Sequence, residues 1–132
     1  MTDVGEPKPP LLIVDAANVV GSVPDGWWRD RAGATERLRD TIAPLSEHGL
    51  PEWPHEPPLE VVLVVEGRAK GVAGSATVRV VAAAGSGDDA MVDLVRTEGA
   101  DRPCAVVTAD RELRGRVDAL GADVLGPRTV RR

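Results

Sequence analysis

Three times along this chain an unbroken apolar run ends on, or just before, a carboxylate: Leu11-Leu12-Ile13-Val14 before Asp15, Val61-Val62-Leu63-Val64-Val65 before Glu66, and Cys104-Ala105-Val106-Val107 shortly before Asp110. Runs without polar alternation describe strands covered on both faces, the pattern of a parallel sheet. Ligands of open parallel sheets gather at the C-terminal edge of the strands, where these acids emerge. Aromatic residues are only 2% of the chain, with no Phe or Tyr, so Val, Leu, Ile and Ala must build the core. Asp15, followed three residues later by Asn18, is the leading functional candidate, its alternative being a local turn cap.

Between the runs lie helical stretches. Val19 to Trp28, with Gly21, Pro24 and Gly26, predicts a loop, and Arg29 to Ser46 a first helix with an Ala32, Thr35, Leu38, Ile42, Leu45 stripe and a ragged end at Pro44. Gly49 to Pro58 holds Pro51, Pro54, Pro57 and Pro58 and predicts an irregular connection; His48 and His55 there lack metal-ligand spacing. After the Glu60–Val65 strand come a loop over 67–77 and a third strand over 78–83, alternating at first and so nearer an edge. A second helix is expected over 88–96, a fourth strand over 104–108, a third helix over 111–120 stopped by Gly121, and a short fifth strand over 122–125. Strands alternating with helices imply right-handed crossovers and an α/β fold: a three-layer α/β/α sandwich with a mainly parallel five-stranded sheet.

At 132 residues the chain is one domain, able to bury a core without metal or disulfide staples. Residues 1–10, polar and proline-bearing, read as a disordered lead rather than a signal peptide, 11–126 as the domain, and 127–132 as a basic tail. The single Cys104, heading an apolar run, excludes a disulfide framework and suits a reducing cytoplasm. No run approaches the roughly 20 apolar residues of a membrane span. The net charge of −5 is uneven: residues 1–66 hold 5 basic against 12 acidic side chains, and residues 67–132 hold 11 against 9, so the second half can present a basic face.

Asp15, Glu66, Asp88, Asp89, Asp93 and Asp110 are the acids that such a fold delivers to one rim. Asp89 and Asp93, four apart on a helix, are a like-charge pair that alone destabilises it by roughly 0.2–0.5 kcal/mol. Added neighbours would drive partly dehydrated carboxylates to take up protons, unless a hard divalent cation were bound. Oxygen-only ligands without a usable His or Cys point to Mg²⁺ or Mn²⁺. The implied chemistry is metal-assisted attack of water on a phosphodiester. Bland alternatives stand beside it: Asp88 as a helix N-cap, Asp93 as a solvated helix residue, Asp110 as the cap of the third helix, and Glu66 turned away from the rim.

Leu12-Ile13-Val14-Asp15-Ala16-Ala17-Asn18-Val19-Val20, Gly87-Asp88-Asp89 at a helix start, and Val106-Val107-Thr108-Ala109-Asp110-Arg111-Glu112-Leu113 resemble the three signature segments of NYN domains, which belong to the PIN-like nucleases. The resemblance covers the chain from Leu11 to Leu125. It implies a metal-dependent ribonuclease with an acidic pocket at the sheet rim. In that scheme Asp15 is the first metal acid, Asn18 its orienting companion, Asp88 and Asp89 the paired helix acids, and Asp110 the acid after the fourth strand. Two positions depart from the pattern: Glu66 stands where related proteins often carry Asp, and Arg114 where some carry an acid or a hydroxyl, which suggests fewer metal contacts or a switch to phosphate binding.

Single-stranded RNA is the expected substrate, with Arg68, Lys70, Arg111 and Arg114 in or just after rim segments to meet phosphates. Trp27, beside Trp28, is a candidate stacking platform for a base, its alternative being a packing anchor. No Walker lysine pattern accompanies the glycine-rich stretches. Rival expectations are a nucleotide or small phosphate-ester hydrolase using the same pocket, and a non-catalytic RNA-binding or regulatory module. Expected protein partners are a second copy of the chain or an antitoxin-like chain, since stand-alone PIN-like domains often act as toxins.

Overall fold

The computed structural model describes residues 8–131; the first seven residues of the expected lead, and Arg132, lie outside the described residues. Five strands form one sheet in the order β3-β2-β1-β4-β5, every neighbouring pair parallel: β1 Leu11–Asp15, β2 Glu60–Val65, β3 Val78–Ala82, β4 Cys104–Val107 and β5 Asp123–Leu125. β1, central in the sheet, is buried along its whole length, as its unbroken apolar run requires.

Alternate residues of each strand serve opposite faces, and the core divides accordingly. On one face Leu12, Val14, Leu63 and Val107 pack with Leu38 and Ile42 of helix α2 (Arg31–Ile42), together with Val19 of α1 (Ala16–Val20) and the buried Trp53. On the other, Ile13, Val62 and Val106 meet Met91 and Val95 of α4 (Gly87–Glu98) and Leu113 and Val117 of α5 (Arg111–Asp118). The product is the expected three-layer sandwich. A short α3 (Leu45–His48) precedes the proline-bearing connection.

Several boundaries differ from expectation, each for a local reason. The loop expected from Val19 begins later, because Asp15 accepts from the Asn18 amide and starts α1 directly off the strand. The long helix expected over 29–46 is split. Asp30 caps α2 by accepting from Gly33, and Pro44, which has no amide hydrogen to offer, separates α2 from α3. α4 starts one residue before Asp88, with Ser86 as its cap, so Asp88 is not the N-cap. α5 is shorter than expected, and Gly121, at φ +89°, turns the chain towards β5. The described part of the 127–132 segment is packed: Val130 is buried, and the Arg131 guanidinium donates to the Val19 and Val20 carbonyls and meets Asp25. Among the described residues no helix is long and apolar enough to cross a membrane.

The connections set the position of the site. From β1 the chain moves to β2 and β3 on one side, then returns to β4 and β5 on the other, so the order reverses between β1 and β4. The C-terminal edge at such a reversal is where an open α/β sheet leaves a crevice. Val14 is in register with Val107, which brings Asp15 and Thr108 side by side at that edge.

Candidate acidic site at the sheet rim

Asp15 is only 7% exposed and is held from two directions. One carboxylate oxygen accepts from the Asn18 amide at 3.2 Å and the other from the Thr108 hydroxyl at 2.9 Å. Burial pushes its carboxyl up to about 6, against these two hydrogen bonds, and the nearby charges of Asp88 and Glu66 push the same way. Thr108, fully buried, also accepts from the Asp110 amide at 3.1 Å, so a single hydroxyl links the end of β1 to the turn after β4. Asn18 makes a second link, its side-chain oxygen accepting from the Ala109 amide at 2.8 Å.

Around this pair the structure gathers part of the expected acidic set. Asp88, half-buried in the first turn of α4, has its carboxyl raised first by burial and then by the charges of Asp110 and Glu66, with Arg116 opposing and Glu112 adding. Asp15, Glu66, Asp88 and Asp110 therefore share one electrostatic neighbourhood, reached from three strand ends and one helix start. Glu66 faces this rim rather than away from it: its carboxylate accepts from the Gly87 amide at the start of α4. A Cβ at position 87 would stand 2.7 Å from that carboxylate oxygen, so the approach depends on glycine. Asp110 both belongs to the group and caps α5, accepting from the Leu113 amide at 2.9 Å.

Asp89 and Asp93 stand apart. Asp89 is paired with Arg116 at 3.0 Å, and Asp93, one turn further along α4, is exposed and paired with Arg96 at 3.2 Å. Among the described residues no three His, Cys, Asp or Glu side chains are arranged to hold a metal ion, so the six acids expected at one rim do not converge on a single point. Protein donors explain this: the Asn18 amide and Thr108 hydroxyl hold Asp15, the Gly87 amide holds Glu66, and the Leu113 amide holds Asp110. Cys104 is buried at the far end of β4, and burial pushes its thiol up to about 11, which disfavours the thiolate.

Thr108, Arg116 and Glu112 are participants that the sequence did not single out. The Thr108 partners lie 93 residues away and 2 residues away, and only the second separation offered a local signal, in Thr108-Ala109-Asp110. The four basic candidates are exposed. Arg68 sits in a short 3-10 turn after β2 (Gly67–Ala69), Lys70 follows it, and Arg111 and Arg114 lie in the first turn of α5.

Beside the acids is a cleft of about 270 Å³, lined among others by Trp27, Arg31, Thr35, Glu66, Gly67 and Gly85. Trp27 is half-buried and packs against the core, so it is an anchor that also presents a surface to the cleft, while Trp28 is 51% exposed.

No protein-family model matches the chain, and no curated protein matches it in sequence. Solved structures do match. A crystal structure of a mutant form of Rae1 (YacP) from Bacillus subtilis aligns with a TM-score of 0.72 at 17% identity, covering 92% of this chain and 72% of that one. A second crystal structure of Rae1 (YacP) from the same organism gives 0.69 at 19% identity, covering 90% and 70%. At these identities the likeness is one of fold.

Proposed function

We propose that this chain is a Mg²⁺- or Mn²⁺-dependent endoribonuclease that hydrolyses phosphodiester bonds of single-stranded RNA at the rim between β1 and β4. The observation that carries the reading is Asp15: a carboxylate buried at the reversal point of a parallel sheet, forced up to about 6 and crowded by Glu66 and Asp88. A fold does not keep such a group for packing when Asn would fill the same space. The resemblance of the Asp15, Asp88 and Asp110 segments to NYN domains, and the fold shared with the Rae1 structures, support the same reading.

The donors suit a hard cation. Carboxylate oxygens without His or Cys favour Mg²⁺ or Mn²⁺, and Mg²⁺ in phosphate chemistry commonly takes one or two carboxylates and keeps its waters, so a closed cage of three ligands is not required. Asp15 and Asp88 would hold the ion, with Glu66 and Asp110 near enough to add charge. A bound ion would lower the pKa of the attacking water and offset charge on the phosphoryl oxygens. The chain's own residues supply the rest. Thr108 and Asn18 fix the Asp15 carboxylate and tie the two strand ends together, while Arg68, Lys70, Arg111 and Arg114 offer cations to the RNA backbone.

Incubating internally labelled single-stranded RNA with Mn²⁺ tests this. The wild type should yield internal fragments, and Asp15→Asn or added EDTA should reduce the rate by about 100-fold or more. Equal, metal-independent cleavage by wild type and Asp15→Asn would overturn it. A second reading, a non-catalytic RNA-binding module, is favoured by carboxylates already held by protein donors; RNA binding indifferent to chelator, with no products, would support that reading.

A further inference from the structure

The cleft beside the acids has a construction that phosphate chemistry alone does not require. We infer that it is a base-binding subsite, which receives one unstacked nucleobase of the RNA whose adjoining phosphate lies over the acidic rim. The ligand's identity rests on the ribonuclease reading; the subsite itself rests on the following contacts.

Its aromatic wall is fixed on two sides. The Arg31 guanidinium lies over the Trp27 ring, 5.3 Å from its centroid, and Trp28 meets Trp27 edge-on with centroids 5.9 Å apart and planes at 85°. An indole restrained in this way lines the cleft with little ordering left to be lost on binding. Ala16, Ala17, Val20 and Ala69 contribute small apolar sides that let a flat ring approach closely. The polar groups are few and of both kinds. Arg31 donates, and Glu66 accepts. Thr35, 3% exposed, donates its hydroxyl hydrogen to the Arg31 carbonyl at 2.8 Å and keeps acceptor capacity.

Size and position complete the case. At about 270 Å³ the cleft falls just below the roughly 300–1,000 Å³ of drug-sized sites, which suits a single ring system rather than a whole nucleotide. Glu66 belongs to both places: it lines the cleft, and its carboxylate accepts from the Gly87 amide at the start of α4, one residue before Asp88. A base in the cleft is therefore next to the rim. Since a paired base cannot leave its stack without an added penalty, the subsite also selects single strands.

The test uses short, dye-labelled single-stranded oligoribonucleotides in which one base at a time is replaced by an abasic ribose, with binding read by fluorescence anisotropy in EDTA. For the wild type, one abasic position should weaken binding by about tenfold or more, the others by under about threefold. Trp27→Ala and Arg31→Gln should lose that sensitivity while binding the abasic oligonucleotide within about threefold of wild type, and Trp27→Phe, which keeps an aromatic wall and most of the packing, should retain it. A sensitive position unchanged by Trp27→Ala and Arg31→Gln, or the absence of any sensitive position, overturns the subsite. The Mn²⁺ cleavage assay separates this from the activity. An abasic signature without cleavage leaves the subsite standing and removes the nuclease; cleavage without the signature does the reverse; no binding and no cleavage removes both.

Discussion

Removing the charge of Asp15 while keeping its shape should make the protein more stable at neutral pH. Its folded carboxyl titrates at about 6 against an ordinary 3.8, so between those values the folded state holds a proton that the unfolded chain releases. Stability therefore falls as pH rises through that window, and the full penalty persists above it. Asp15→Asn, whose side-chain oxygen can still cap α1, should gain on the order of 1–3 kcal/mol at about pH 7.5 and nearly nothing below about pH 4, measured by urea unfolding at both. Added Mn²⁺ should raise the melting temperature of the wild type but not of Asp15→Asn, and the rise should fade below about pH 5 as protons compete for the carboxylate. Thr108 gives a complementary expectation. Thr108→Val leaves an oxygen of Asp15 without its donor and the Asp110 amide without its acceptor, for a loss of about 1–3 kcal/mol, which Thr108→Ser should largely restore.

Strands were legible and short helices were not. The runs at 11–15, 60–65 and 104–107 have a composition that only a sheet covered on both faces can use, so both their existence and their parallel pairing followed from the residues. α1 has five residues, Ala16-Ala17-Asn18-Val19-Val20, too few to display a period, and what starts it is a contact from Asp15 that also belongs to the site. At α4 the sequence offered Asp88 as a cap; Ser86 takes the role, leaving Asp88 at the rim, while Asp89 pairs with Arg116. Ser86→Ala should therefore cost about 1 kcal/mol in chemical denaturation, with Ser86→Gly costing only a few tenths. The split between α2 and α3 was signalled by Pro44 as a ragged end, and the Trp27 cleft needed Arg31 and Glu66 to be brought together from separate segments.

For the whole molecule, charge is unevenly divided along the chain, net negative over residues 1–66 and net positive over residues 67–132. Arg111 and Arg114 project from the start of α5, in the half of the chain that carries the net positive charge. Replacing each by Ala should weaken RNA binding across sequences and reduce the slope of log affinity against log salt by about 0.7 per contact, measured by anisotropy from low to moderate salt. The fold class was legible from alternating strands and helices, whereas the arginines that pair with Asp89 and Asp93, two of the six acids expected at the rim, were not. The Thr108 hydroxyl that joins the two strand ends meets Asp15 across 93 positions of sequence, and β4, which it directly follows, comes after three of the five strands. A chain in which β4 does not yet lie beside β1 has Asp15 without the Thr108 hydroxyl, so in the ribonuclease reading the site is complete only once those two strands pair. Incompletely folded molecules should accordingly be inert, and recovered activity during refolding should track native protein without a fast, partially active phase.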